Sequence, residues 1–333
     1  MKLTPGKLRG MEALADKRGV IAAAAMDQRG SLDKMLQAAG ANPTPEMMAE
    51  FKTAVTRILT PHASAILLDP EYGLEAAKQR AKNAGLLLAY EKSGYDNTRP
   101  GRLPDFLEHW SALRLKEAGA DAAKVLIHYT PHEDEKVNDE KHAWIERIGA
   151  ECVAHDIPFF LEFVGYDPKG GSEKAPEFAK IKPEVVARSI EEFSKDRYHV
   201  DVLKVEIPVN LQYVEGTRSF KGPAVSSRQQ ALEHYRAAAA AARRPFIYLS
   251  AGVSNAQFIE SLEMAAEAGV KFNGVLCGRA TWAGGIPEYA RGGLKALEAW
   301  LSDRGVKNIN AVNAALGNAS RGLPLRKWDT DEH

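Results

Sequence analysis

The sequence predicts an α/β protein built as a single (β/α)8 TIM barrel with extra N- and C-terminal helices. Eight short apolar runs bounded by turn residues alternate with longer Ala-, Glu- and Lys-rich stretches of helical period, as expected for parallel strands joined by helical crossovers. The 333 residues contain no Pro/Gly/Ser-rich linker that would divide them into two bodies. No G-x-G-x-x-G motif follows the first run, which disfavours an open dinucleotide-binding sheet.

The elements follow one another in a simple order. A helix over residues 3–17 precedes the barrel, which runs from about residue 20 to about residue 300. The eight predicted strands cover residues 20–27, 64–69, 85–91, 122–129, 158–166, 202–208, 246–252 and 274–280. Helices over 292–301 and 309–316 follow, and the tail at 321–333 is expected to be loosely ordered. We therefore expect one domain over residues 1–333, with the C-terminal helices and tail in 301–333.

Composition narrows the class of protein. Lys plus Arg and Asp plus Glu each total 44, so the formal net charge is zero, and no basic stripe marks a nucleic-acid partner. The two cysteines, Cys152 and Cys277, lie far apart in apolar segments, which favours buried thiols in a reducing, cytoplasmic setting. No stretch approaches the ~18 consecutive apolar residues of a membrane span. We expect a soluble protein that binds neither nucleic acid nor membrane.

Alternation along the predicted strands assigns side chains to the two faces of the barrel wall. In the sixth strand Leu203, Val205 and Ile207 suit the face that packs against the outer helices, which directs Lys204 and Glu206 inward. The interior of such a barrel carries polar groups near its C-terminal mouth. Lys204 is therefore a candidate interior amine.

Three further strands add charged groups to the same interior. The same alternation directs Lys124 and His128 of strand four inward, and Glu162 of strand five inward among phenylalanines. Asp27 ends strand one on the inward face, while Glu91 closes strand three at the mouth, where a supporting role is favoured over a plain turn. Lys204 with Glu206, or Lys124 with Glu162, are also compatible with structural salt bridges inside the barrel. Because buried charges are costly unless compensated, so many in one barrel favour catalysis.

The charged set suits amine chemistry. An amine attacks a ketone only when it is neutral, and a second cation such as Lys124 beside Lys204 favours the neutral form. Forming an iminium from a carbinolamine then needs a proton donor and acceptor, a role for Glu162. Asp27 is placed to orient or deprotonate a substrate hydroxyl. His128 either lines the pocket or packs in the core.

The last two predicted strands end in a phosphate-binding pattern. Ser250 and Gly252 close strand seven, with Ser254 as a predicted helix N-cap, and Gly278 and Arg279 close strand eight. Loops after these two strands often bind phosphate in such barrels, because glycine allows backbone N–H groups to approach closely and arginine holds the oxygens. Ordinary turn glycines beside a surface arginine are the structural alternative.

Five segments together resemble a known family, over residues from about 14 to about 300. They read AMDQRG at 25–30, LDPEYG at 68–73, LAYEKSGY at 88–95, DVLKVE at 201–206 and NGVLCGRATWAG at 273–284. In this order they resemble the class I tagatose 1,6-bisphosphate aldolases, Schiff-base ketose-bisphosphate aldolases. The resemblance implies metal-independent cleavage of D-tagatose 1,6-bisphosphate to dihydroxyacetone phosphate and D-glyceraldehyde 3-phosphate, with no cofactor. Loose stereochemistry in the family makes D-fructose 1,6-bisphosphate a second candidate substrate.

The resemblance also implies roles for individual residues. It gives the Schiff base to Lys204, acid/base work to Glu162, and supporting roles to Lys124 and Asp27. The implied substrate and phosphate contacts are Gln28, Arg29, Ser250, Gly252, Gly278 and Arg279, with Arg29 assigned to the phosphate distal to the ketone. We expect no metal ligand set.

Several alternatives remain open from the sequence. Residues 167–174 and 214–227, both expected at the mouth, resemble the family less, so a sulfofructose-phosphate-type aldolase of the same superfamily ranks second. An alternative hypothesis from another functional class is a metabolite-binding regulatory protein on an aldolase scaffold. A metal-dependent epimerase or isomerase is disfavoured because the nine histidines show no metal-ligand spacing. Association into a homo-oligomer through outer helices is an expectation from the fold class.

Overall fold

The barrel closes as the sequence predicts. The computed structural model describes residues 3–320, and the predicted tail at 321–333 lies outside them. Eight parallel strands form a closed barrel in the order β1 to β8, with β8 paired to β1. The strands are β1 Ile21–Ala25, β2 Ala65–Leu68, β3 Gly85–Ala89, β4 Ala122–His128, β5 Phe159–Val164, β6 Val202–Val205, β7 Phe246–Leu249 and β8 Gly274–Cys277.

Helices surround the barrel and close its N-terminal end. They are α1 Pro5–Leu14, α2 Gly30–Ala38, α3 Pro45–Leu59, α4 Leu74–Lys78, α5 Ala112–Glu117, α6 Glu135–Ala154, α7 Pro176–Phe193, α8 Arg228–Ala241, α9 Asn255–Glu267, α10 Arg279–Trp282, α11 Ile286–Trp300 and α12 Val306–Ala319. The predicted N-terminal and C-terminal helices are therefore present, with different bounds. None of the helices among residues 3–320 combines the length and the apolar character needed to cross a membrane.

The predicted strand ends extend too far. All eight predicted strands exist and start within one residue of the predicted position, but each ends one to three residues earlier than predicted. The residues after each strand continue the apolar alternation while the backbone has already left the sheet to form the mouth. In α11 the predicted start at residue 292 falls beside a kink at Gly293, whose φ of 64° separates two helical pieces.

The two faces of the wall carry the residues that alternation assigns to them. Leu203, Val205 and Ile207 belong to the apolar cluster between the strands and the outer helices. Phe160 and Val202 belong to a second apolar cluster inside the barrel. The period-two alternation of the strands is therefore confirmed for these positions, and with it the inward direction of Lys204.

Helix α1 packs across the N-terminal end of the barrel. Its residues Met11 and Leu14 join the inner apolar cluster together with Leu3. Gly10 allows this close approach, because a Cβ there would lie 2.3 Å from the backbone oxygen of Asp121. The amine of the buried Lys7 forms an ion pair of 2.7 Å with Asp201, which immediately precedes β6. The opposite, C-terminal end of the barrel is left for the site.

Candidate active site

Three predicted catalytic side chains meet at the mouth of the barrel. Lys204 and Glu162 are register partners on β6 and β5, and Nζ of Lys204 donates to Oε2 of Glu162 at 2.7 Å. The same carboxylate oxygen lies 3.0 Å from Nζ of Lys124, which comes from β4. Alternation in three consecutive strands therefore brings two amines to one carboxylate oxygen.

Lys124 is the charged centre of the cluster. Its amine donates to Asp27 at 2.7 Å and to Glu91 at 2.9 Å, in addition to its contact with Glu162. The side chain is fully buried. Burial alone favours loss of the proton, but the charges of Asp27, Glu162 and Glu91 outweigh burial and raise the pKa of Lys124 well above its ordinary value. Lys124 is therefore a fixed ammonium.

The two predicted carboxylates remain ionised beside this ammonium. Burial works against the charged form of Asp27 and of Glu162, but the positive charges of Lys124 and Lys204 outweigh it and lower the pKa of both groups. Asp27 also accepts a hydrogen bond of 3.2 Å from the side chain of Gln28. The cluster thus holds carboxylates that accept protons and amines that lie within reach of them.

Glu91 belongs to this cluster more closely than the sequence indicated. It lies 2.9 Å from Lys124 and 3.7 Å from Arg29, and it is buried. Burial raises the pKa of Glu91 in spite of the positive charges of Lys124 and Arg29, and the negative charge of Asp27 adds to the rise. The available signal was the alternation of Leu87 and Ala89, which continues inward to Glu91 after the strand ends.

Arg29 is held by partners within the protein. Its Nη1 donates to Glu71 at 2.7 Å and its Nη2 to the backbone oxygen of Glu91 at 2.9 Å. Both ends of the guanidinium are therefore engaged within the protein. Arg29 borders the cavity, but this geometry gives no support to its assignment to the distal phosphate.

The inward prediction for Glu206 is wrong. Glu206 follows the last residue of β6, and its carboxylate accepts from the backbone N–H of Gly165 at 2.7 Å and pairs with Lys182 of α7 at 3.0 Å. The alternation no longer applies because the backbone has left the sheet at this point. A salt bridge between Lys204 and Glu206, one of the structural alternatives, is not formed.

The predicted phosphate end is assembled from β7 and β8. Ser250 and Gly252 follow β7, and Gly278 and Arg279 follow β8. Gly252 has a φ of +75°, and a Cβ at that position would lie 2.7 Å from Cζ of Arg279. The arginine therefore lies directly against a glycine that has room for no side chain. Ser254 accepts from the backbone N–H of Gln257 and caps α9, as predicted.

These groups surround one cavity of about 660 Å³. Of the ten predicted site residues it is lined by Asp27, Gln28, Arg29, Glu162, Lys204, Ser250, Gly252, Gly278 and Arg279. Lys124 is not among the lining residues; it is fully buried and contacts the lining residues Asp27, Glu91 and Glu162. His128 also lines the cavity, with its ring edge-on to Tyr95 at 4.7 Å.

Two other features of the mouth bear on the alternatives. A larger groove of about 1010 Å³ adjoins the cavity between residues 92–105 and α6, but none of the predicted catalytic residues lines it.

Within residues 3–320 no group of three or more His, Cys, Asp or Glu side chains is arranged to hold a metal ion. A metal-dependent epimerase or isomerase thus has no candidate ligand set in this part of the chain.

Comparison with known proteins bears on the chemistry of this cavity. Residues 21–284 match the family model described as DeoC/LacD family aldolase. The chain is 50% identical over 315 residues to tagatose 1,6-diphosphate aldolase 1 of Enterococcus faecalis, covering 95% of this chain and 96% of that protein. It is 51% identical over 317 residues to the Streptococcus mutans protein of the same name, covering 95% and 97%.

A third relative and a solved structure extend the comparison. Tagatose 1,6-diphosphate aldolase of Listeria monocytogenes is 49% identical over 316 residues, covering 95% of this chain and 93% of that protein. The Plasmodium falciparum fructose-bisphosphate aldolase in a ternary co-crystal superimposes with a TM-score of 0.70 at 14% identity, covering 97% of this chain and 98% of that chain. At that identity the superposition supports the barrel fold alone.

Proposed function

The chain belongs to the DeoC/LacD family of aldolases, and from this premise we propose that it cleaves D-tagatose 1,6-bisphosphate through a Schiff base on Lys204. The products are dihydroxyacetone phosphate and D-glyceraldehyde 3-phosphate. The observation that carries the proposal is the contact of 2.7 Å between the Lys204 amine and Glu162, inside a cavity that also holds Arg279 and Gly252. Relatives about half identical over nearly the whole chain support the choice of sugar.

The first half of the reaction joins the ketose to the enzyme. The neutral Lys204 amine attacks the C2 carbonyl and forms a carbinolamine. Glu162, within hydrogen-bond reach of Lys204, has accepted the proton whose loss made this amine neutral. It returns that proton to the carbinolamine hydroxyl, and water leaves to form the iminium. The ammonium of Lys124 lies 3.0 Å from the same Glu162 oxygen and stabilises its negative charge after each proton transfer.

The second half breaks the carbon–carbon bond. Asp27 accepts or orients the proton of the C4 hydroxyl, the C3–C4 bond breaks, and its electron pair moves to the iminium nitrogen to give an enamine. The aldehyde leaves, C3 of the enamine takes a proton, and water hydrolyses the iminium to release dihydroxyacetone phosphate and the free Lys204 amine. The groups that exchange protons or bonds with the substrate, Lys204, Glu162 and Asp27, all border the cavity.

The two phosphates have separate surroundings in this proposal. The phosphate nearest the ketone lies at the β7–β8 end, against Arg279 and the backbone around Gly252 and Gly278. The distal phosphate lies near Lys34 and Lys92, two lysines that border the cavity and take no part in the catalytic cluster. These lysines replace Arg29, whose guanidinium is engaged by Glu71 and Glu91.

Reductive trapping tests the proposal. The protein is incubated with dihydroxyacetone phosphate and sodium borohydride, and peptides are mapped by mass spectrometry. The expected result is a substrate-dependent adduct on Lys204 that is absent from Lys204→Met and unaffected by EDTA. Cleavage rates for D-tagatose 1,6-bisphosphate, D-fructose 1,6-bisphosphate and a sulfonated ketose phosphate then rank the substrates. A folded protein that gives no adduct would contradict the Schiff-base mechanism.

A further inference from the structure

Beyond the cavity wall lies a lysine that contacts the backbone on both sides of Asp27. Lys52 belongs to α3, is completely buried, and does not border the cavity. Its Nζ donates to the backbone oxygens of Met26 and Gln28, each at 2.7 Å. Lys52 therefore binds a backbone oxygen of the residue on each side of Asp27 without bordering the cavity.

A buried carboxylate fixes this lysine in place. Asp69, just after β2, lies 2.6 Å from Nζ of Lys52, and neither side chain of the pair has measurable exposure. The other Asp69 oxygen accepts from the backbone N–H groups of Glu71 and Tyr72 at 3.0 and 2.9 Å. Lys52 thus connects the turn after β2 to the segment after β1. An ion pair this deeply buried is costly unless its geometry is well satisfied.

The contacts of Lys52 lie where the regular strand pairing of β1 ends. The last residue of β1 is Ala25, and Met26 N–H donates to the backbone oxygen of Leu67 at 2.7 Å. The backbone oxygens of Met26 and Gln28 accept from Lys52, while the Asp27 carboxylate accepts from Lys124 at 2.7 Å. Lys52 therefore holds the backbone as far as Gln28, three residues beyond the end of β1.

We propose that Lys52 is a positioning residue for carbon–carbon bond cleavage, holding the Met26–Gln28 backbone so that Asp27 and Gln28 face the substrate. The inference rests on the proposed function, because it takes Asp27 to act on the substrate hydroxyl. Formation of the Schiff base depends on Lys204, Glu162 and Lys124, which come from other strands. Replacing Lys52 should therefore impair carbon–carbon bond cleavage and leave Schiff-base formation unchanged.

The experiment uses two variants of the full chain. Lys52→Met removes the charge and keeps the length of the side chain, and Lys52→Met combined with Asp69→Asn also removes the carboxylate that would otherwise be left unpaired. Borohydride trapping with dihydroxyacetone phosphate should mark Lys204 in both variants as in the wild type. The kcat for cleavage should fall by about 10- to 100-fold, the scale expected when a reacting group is misplaced by about 1 Å.

A double-mutant cycle identifies the residue through which Lys52 acts. In an Asp27→Asn background, Lys52→Met should change kcat by less than about twofold, because residues that act through one another are not additive. Lys7→Met is the matched control, since Lys7 is also a buried lysine on a helix that pairs with an aspartate next to a strand, at the other end of the barrel. It should lower stability and leave kcat within about twofold.

The outcomes separate this inference from the proposed function. A wild type that gives no Lys204 adduct defeats the proposed function, and the inference with it. A wild type that is trapped normally, with an unchanged kcat in folded Lys52 variants, defeats the inference alone. So does an equal loss of kcat with and without the Asp27 carboxylate. Retained trapping, a large loss of kcat and a non-additive cycle together establish the positioning role.

Discussion

Nζ of Lys204 lies 2.7 Å from Oε2 of Glu162, and the two residues are direct register partners on adjacent strands. Because the pair is set by sheet register, its geometry does not depend on a loop. The same Glu162 oxygen lies 3.0 Å from Lys124. One carboxylate oxygen therefore contacts the amines of both Lys204 and Lys124.

Replacing Glu162 by Gln should remove the acid/base group and keep the shape of the side chain. We expect kcat to fall by about 10²- to 10⁴-fold, the usual contribution of a general acid or base. Glu206→Gln is the matched control, because Glu206 is also buried near the mouth but pairs with Lys182 outside the cluster. Steady-state cleavage assays measure both variants. Similar losses in the two would argue against a special role for Glu162.

Removing the ammonium of Lys124 should change the pH dependence. Lys124 is the largest of the charges that lower the pKa of Asp27 and of Glu162, so Lys124→Met should let burial raise both pKa values. The acid limb of the kcat/KM profile should then move to higher pH. Profiles recorded between about pH 5 and 9 on both proteins measure the shift. An unmoved limb in a folded variant would contradict the electrostatic role.

The lowered pKa values of Asp27 and Glu162 also predict how the stability of the folded protein depends on pH. Asp27 and Glu162 have lowered pKa values in the folded protein, so they stabilise it fully above their ordinary values of 3.8 and 4.5 and lose that contribution as the pH falls through the lowered values. In Lys124→Met this acid-side contribution should be smaller or reversed. Thermal unfolding at neutral and at acidic pH, compared between the two proteins, tests the sign.

Gly252→Ala should weaken phosphate binding through Arg279. A methyl group there would lie 2.7 Å from Cζ of Arg279 and displace the guanidinium. Loss of a charged hydrogen bond, worth ~1.5–3 kcal/mol, predicts a roughly 10- to 100-fold weaker inhibition by inorganic phosphate, similar to Arg279→Met. Gly40→Ala is the control, because Gly40 also has a positive φ but nothing within 4 Å. Equal effects of the two glycine substitutions would point to backbone strain instead.

Replacing the two lysines at the outer edge of the cavity should weaken binding only of bisphosphate substrates. A Lys34→Met/Lys92→Met variant should raise KM for the ketose bisphosphate by roughly 3- to 10-fold, as expected for exposed ion pairs worth up to ~1 kcal/mol each. Trapping with dihydroxyacetone phosphate, which lacks the distal phosphate, should be unchanged. A weaker response to dihydroxyacetone phosphate as well would show that these lysines act on the whole cavity.

Sequence reasoning identified the parts of this protein that are governed by a regular period. Alternation gave the inward direction of Lys124, Glu162 and Lys204, because buried strands admit only one arrangement of apolar and charged side chains. It was wrong at Glu206, where the backbone leaves the sheet and the period ceases to apply. The fold and the centre of the site were therefore predictable, and the edges of the strands were not.

Contacts to backbone atoms were harder to predict. Lys52 lies on the same helix face as Met48, Val55 and Leu59, so its burial had a detectable signal as a lysine at an apolar position. Its acceptors are the backbone carbonyl oxygens of Met26 and Gln28. Because every residue carries such an oxygen, the side-chain types at these positions give no indication of the contact. The proposed role of Lys52 therefore depends on contacts that only the folded structure shows. The contact between Arg29 and Glu71 is of the same kind, since it depends on where two loops meet.

The packing of α1 across the N-terminal end bears on the order of binding and release. Because Leu3, Met11 and Leu14 fill that end, the cavity that holds Lys204 lies at the opposite, C-terminal end. In the proposed mechanism the ketone half of the sugar is covalently bound to Lys204 when the C3–C4 bond breaks. The aldehyde is then the first product released, and in synthesis it is the second substrate to bind. The covalent bond therefore predicts ordered kinetics for a reaction that joins and separates two three-carbon units.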